Sequence, residues 1–175
     1  MELEELYFYK TRLEKDSIDY LVVKNINPKL SKLSLCTNGG TGTGPQFWTL
    51  NEDAIVIDNY IQILVCRCNN LTELNLTGSG FTNDSVNFII EHLRSTLEKL
   101  CLIGTRVGVM KLFELKAMKK LAILEFKTIF DLNIKELERF RRNHPHIQLY
   151  YAKARSIVAK PNWNSDNLSA FRSYK

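Results

Sequence analysis

Apolar residues recur along the chain in the three-position pattern L-x-x-L-x-L, separated by mostly polar ones. The pattern stands at Leu71, Leu74 and Leu76, and again at Leu97, Leu100 and Leu102, 26 residues later counted from 71 to 97. It is present as well at Leu3, Leu6 and Phe8, at Leu30, Leu33 and Leu35, and at Leu121, Leu124 and Phe126, with a weaker sixth start at Ile147. First positions are spaced by 27 residues (3 to 30), 41 (30 to 71), 26 (71 to 97), 24 (97 to 121) and 26 (121 to 147). A fixed period of roughly 20–50 residues predicts a solenoid, because one such unit cannot bury its own apolar face and must stack on its neighbours.

Each unit predicts a short strand, a turn and a helix. Strand side chains alternate with period 2, so the second and third apolar positions face the core and the residues between them face outward. This places Glu5, Tyr7 and Tyr9; Lys32, Ser34 and Cys36; Glu73, Asn75 and Thr77; Lys99, Cys101 and Ile103; and Ile123, Glu125 and Lys127 on one exposed sheet surface. Asp16, Asn51 and Asn83 are the N-cap candidates, since a short oxygen-bearing side chain accepts from the free N–H groups of a first turn. Ile18, Leu21 and Val22, then Val86, Ile89, Ile90 and Leu93, then Leu112, Leu115 and Met118 give apolar helix faces. A last helix over about 133–143 buries Ile134, Leu137 and Phe140, exposes Lys135, Glu138, Arg139, Arg141 and Arg142, and stops at Pro145.

One interval is long. Leu35 to Leu50 covers 15 residues where Leu76 to Phe81 covers 5, so about ten are inserted in the second unit, as a loop over about 37–49 containing NGGTGTGPQFW. A glycine-rich loop between strand and helix can cradle a phosphate, but a P-loop needs a Gly-Lys-Ser/Thr ending and here Gly44 is followed by Pro45 and Gln46. The segment is expected to be a tolerated insertion.

The span from Leu3 to about Tyr151 resembles leucine-rich repeats, and its 26-residue unit is similar to the cysteine-containing subtype of F-box/LRR proteins. That subtype follows its strand with C-x-x-I/L-T-D-x-x-L-x-x-L and ends in C-P-x-L. Here Phe81-Thr82-Asn83-Asp84 stands mid-unit, and Cys68-Asn69-Asn70-Leu71 and His144-Pro145-His146-Ile147 stand at unit ends, with Ser79 and His144 where the subtype has cysteines. No segment resembles an F-box. The resemblance implies an α/β leucine-rich-repeat solenoid, a right-handed β-α superhelix with a parallel sheet on the concave face and helices outside. Residues 1–152 would form the repeat domain of about five to six units, with 153–175 as a basic C-terminal tail or cap.

Composition narrows the function. The chain has 175 residues, 45% of them hydrophobic, which suffices for one domain with a core. No apolar run approaches the ~20 residues of a membrane span, and the acidic, interrupted start MELEELYFYK is unlike a secretory signal. Four cysteines, at 36, 66, 68 and 101, do not make a disulfide framework at this length, so a cytoplasmic or nuclear setting is expected. Cys66 and Cys68 lack zinc-site spacing and read as buried structural residues. The net charge of +5 lies largely in the tail, where Lys153, Arg155, Lys160, Arg172 and Lys175 stand against Asp166. The outward triplets mix both signs without a stripe of basic and aromatic residues, so nucleic acid is not the expected partner. No nucleophile–base or metal-binding motif accompanies the histidines, and neither an enzyme nor a cofactor is expected.

The expected function is therefore non-catalytic recognition of a protein by the concave sheet, through Tyr7, Tyr9, Lys32, Ser34, Glu73, Asn75, Lys99, Cys101, Ile103, Ile123 and Glu125. The resemblance implies a substrate-recognition or adaptor module of a ubiquitin ligase. The alternatives are a small mitochondrial-type assembly or coupling factor without an F-box, a nucleic-acid binder, and an enzyme inhibitor, for which the sheet is not acidic enough. With Leu3 opening a repeat directly after the start, the first strand is expected to be covered by another domain, a partner or a second copy. The other end has Trp163, Leu168 and Phe171 for a cap.

Overall fold

A computed structural model of the chain describes residues 3–9, 20, 24, 26–36, 54–77, 80–128 and 134–151. Strand β1 (Glu5–Tyr9) and strand β2 (Lys32–Cys36) are followed by helix α1 (Ala54–Arg67), strand β3 (Glu73–Asn75), helix α2 (Asn83–Leu93) and strand β4 (Lys99–Thr105). Then come helix α3 (Val109–Leu112), which continues as a 3-10 helix (Phe113–Ala117), strand β5 (Ile123–Thr128), helix α4 (Ile134–Asn143) and strand β6 (Gln148–Tyr151). The six strands form one parallel sheet in the order β1-β2-β3-β4-β5-β6, each paired with its successor in sequence.

The register follows the leucine pattern. Leu6, Leu33, Leu74, Leu100, Leu124 and Leu149 lie opposite one another across the sheet, and Phe8 pairs with Leu35 as Leu102 pairs with Phe126. Their side chains enter one core with Ile61, Leu64 and Val65 of α1, Val86, Ile89 and Leu93 of α2, Leu112 and Leu115, and Leu137 and Phe140 of α4. The helices therefore cover one face of the sheet, where α1 packs on α2 and α3 on α4.

A repeated main-chain bond sets each unit on the next. The Glu4 carbonyl accepts from the N–H groups of Ser31 and Lys32, Ser31 from Thr72 and Glu73, Thr72 from Glu98 and Lys99, and Glu98 from Ala122 and Ile123. The last step has a single such bond, Gln148 N–H to Ala122. Its cause is the length of the sixth unit: Leu149, not Tyr150, stands opposite Leu124, so the core residue comes two positions after Ile147 instead of three. The 24-residue interval from 97 to 121 is accommodated by the 3-10 helix, which rises about 2.0 Å per residue against about 1.5 Å in an α-helix and so covers the unit with fewer residues. In β4 a bulge at Gly104, held at φ 71°, takes up one extra residue, and the Thr105 hydroxyl donates to the Leu102 carbonyl at 2.9 Å.

Several local expectations are corrected. Helix α2 is capped by Thr82, whose hydroxyl accepts from Asp84 N–H, and Asn83 instead bridges to the next unit, accepting from Gly108 N–H at 2.9 Å. Ile134 is exposed, because it opens α4 ahead of the turn that carries the inward Leu137 and Phe140. Cys66 is exposed on α1 while Cys68, just past the helix end, is buried. The caps expected at Asp16 and Asn51, the helix with Ile18, Leu21 and Val22, the insertion loop at 37–49 and the tail at 153–175 lie outside the described residues.

Candidate partner-binding face

Opposite the helices, the outward side chains of successive strands fall into rows because the strands are in register. The first row is Glu5, Lys32, Glu73, Lys99, Ile123 and Gln148. Its first four members alternate in sign, and Lys32 Nζ lies 2.8 Å from Glu5 and 3.6 Å from Glu73, with Lys99 Nζ 4.0 Å from Glu73. The Lys32 contact and a 3.0 Å hydrogen bond donated by the Tyr7 hydroxyl hold the Glu5 carboxyl below the usual carboxylate range. Exposed pairs like these contribute little to stability, because water screens the charges and ordering two long side chains costs entropy. Their larger effect is on register, since a slip of β2 would separate Lys32 from the opposite charge it faces on β3 and turn the strand's side chains to the other face.

The second row runs Tyr7, Ser34, Asn75, Cys101, Glu125 and Tyr150. Contrary to expectation, its centre is not exposed: Ser34, Asn75, Cys101 and Glu125 are buried, and so is Lys99 in the first row. Cys101 shows why. It is a short side chain hemmed in by Asn75 and Glu125 across the strands, which lie about 4.8 Å apart, and by Lys99 and Ile103 along its own strand. Asn75 uses its Oδ1 to accept from Thr77 N–H at 2.9 Å, and Thr77 Oγ1 and Cys101 Sγ share a hydrogen bond at 3.1 Å. Burial, followed by the nearby Glu125 carboxylate, pushes the Cys101 thiol well above its ordinary range.

Burial likewise raises the Glu125 carboxyl above 4.5, with the Lys99 ammonium opposing part of the shift. The folded protein thus holds the Glu125 proton at pH values where the unfolded chain has released it. Stability is lost as pH rises from about 4.5 through the folded-state value. Glu125→Gln, which cannot ionise, should therefore gain stability relative to the native chain as pH increases across that window. Urea midpoints of both proteins at pH 4 and pH 7 test this, and a difference that does not change with pH would contradict it.

What a partner can reach is narrower than the sequence implied. Tyr7 is exposed, Lys32, Glu73, Ile103 and Ile123 are half-buried, and Ser34, Asn75, Lys99, Cys101 and Glu125 support them from below. Tyr9 lies at the end of β1, opposite Cys36. Tyr150, missed at the other end, is half-buried beside Glu125, and burial raises its phenol. The signal for it was the unit-length change after Ile147, which turns Tyr150 outward.

Another missed residue lies among the helices. Asp58 of α1 is buried and accepts from Thr82 N–H at 3.1 Å, from the Thr82 hydroxyl at 2.6 Å and from the Ser85 hydroxyl. It fixes α1 to the start of α2, where a carboxylate also complements the helix dipole. Among the described residues no group of three His, Cys, Asp or Glu side chains could hold a metal ion, and no helix is long and apolar enough to cross a membrane. Compared with known proteins, the chain matches no protein-family model and no curated protein.

Proposed function

We propose that the chain is a leucine-rich-repeat solenoid that recognises a protein partner on the open face of its sheet, without catalysis. The observation that carries this reading is the pair of ordered side-chain rows, which present Tyr7, Ile123 and Tyr150, with Ile103 just beyond them on β4, as apolar or amphipathic groups around an internally paired polar centre. Interface anchors are enriched in such aromatic groups, and a neutralised charge ladder lets a partner dock without stranding a charge. The repeat assignment is supported by the leucine register and by the unit ends. Cys68 and His144 are both buried, and each carbonyl accepts from the N–H three residues on, at Leu71 and Ile147. His144 fills the cysteine's place by stacking on Phe140, with ring centroids 4.3 Å apart. It is 3.0 Å from the Phe140 carbonyl, which can only accept, so Nδ1 carries the proton.

The specific form of the reading is a substrate-recognition or adaptor module of a ubiquitin ligase in the cytoplasm or nucleus. Affinity purification with mass spectrometry tests it, with the native chain compared with Tyr7→Ala and Ile103→Asp. A cullin and a Skp-type adaptor in the native sample, with a co-purifying protein lost from both variants at unchanged melting temperature, is the expected result. Inner-membrane complex subunits would point to the assembly-factor role instead, and equal capture by all three proteins would remove the sheet as the site.

A further inference from the structure

On the helical side of the molecule, two chemistry-bearing side chains from neighbouring units meet. Cys66 lies in the last turn of α1 and His92 in the last turn of α2, so the packing of these helices sets them side by side. Cys66 Sγ is 3.2 Å from His92 Nε2 and 3.8 Å from Nδ1, and the Glu91 carboxylate is 3.9 Å from the same Nε2. The thiol is exposed, and the His92 side chain is 28% exposed. The thiols of Cys68 and Cys101 are in a different state. Cys68 is buried, donates to the Asn27 carbonyl at 3.3 Å and is pushed up to about 11, while Cys101 is sealed beneath the sheet face. Of these three thiols, Cys66 alone combines access to solvent with a base within proton-transfer distance.

We propose that Cys66 is a thiol-modification site that exchanges with small disulfides, with His92 as the base. The Cys66 thiol gives its proton to His92 as Sγ attacks one sulfur of the disulfide. A new S–S bond to Cys66 forms while the old one breaks, and the departing thiolate takes the proton from His92. The incoming disulfide is the only oxidant required. The mixed disulfide would stand on the helical side of the molecule, so the inference is independent of the partner-binding reading.

The test uses the full chain with oxidised glutathione, timed acid quenching and mass-spectrometric mapping of each cysteine. Cys66 is expected to be modified first, and faster in the native protein than in the urea-unfolded chain. His92→Gln keeps a hydrogen-bonding group beside the thiol but cannot take up its proton. It should slow Cys66 modification about tenfold, short of the ~10²–10⁴ contributed by an enclosed base. The rate in urea and the melting temperature should not change, which separates the proton-transfer role from a structural one. A native Cys66 that reacts no faster than the unfolded one, or that is indifferent to His92→Gln, would overturn the proposal.

Discussion

Leu100→Ala is expected to destabilise the protein by about 2–5 kcal/mol, with the upper half of that range favoured by the site. Leu100 is fully buried on a central strand, between Leu74 and Leu124 in the same core layer. The strands on either side are locked at their spacing by the repeated carbonyl bonds at Ser31, Thr72 and Glu98, so the cavity cannot collapse. Domains of this size are stable by only ~5–15 kcal/mol, so one methyl-rich side chain accounts for a large share. Leu6→Ala, on half-buried ground in edge strand β1, should cost less than half as much. Urea denaturation of both variants checks the ratio, and equal losses would show that the core is not layered in this way.

The second large effect is at Asp58. Asp58→Ala removes the acceptor for Thr82 N–H, the Thr82 hydroxyl and the Ser85 hydroxyl together, at a site where water is excluded from Ser85. Unsatisfied buried donors cost about 1–3 kcal/mol each, partly relieved by relaxation, so a net loss of about 2–4 kcal/mol is expected. The loss should be regional. Hydrogen exchange of the α2 amides near Asp84 should accelerate more than that of α4, which Asp58 does not touch. Uniform acceleration would mean that Asp58 acts through global stability alone.

The strand register was legible in the sequence because two independent signals agreed: the period-2 alternation within each strand and the recurrence of leucine from unit to unit. Leu33, Leu74, Leu100 and Leu124 are therefore placed by the sequence pattern alone. Depth was not legible. Alternation says which face Ser34, Asn75, Cys101 and Glu125 occupy, but whether solvent reaches them depends on how long the side chains in the next strands are. Chain reach across units was equally invisible. Asp58 and Thr82 are 24 residues apart (58 to 82), and only the stacking of α1 against α2 brings a helix carboxylate onto the capping residue of the next helix. Cys66 was misread for the same reason, since its exposure and its neighbour His92 follow from helix packing. Tyr150 was missed because the sixth unit shows only as a weaker start at Ile147, and the alternation that follows it, with Leu149 two positions on as the core residue, was not carried further.

The claim that the sheet face is the recognition surface is tested most directly by a photo-crosslinking amino acid placed at two positions in turn. One is Tyr7, exposed on the sheet face, and the other is Met110, 60% exposed on α3. Irradiation in extract should yield a protein adduct from position 7 and none from position 110. An adduct from position 110 with none from position 7 would place the partner away from the sheet face and contradict the account.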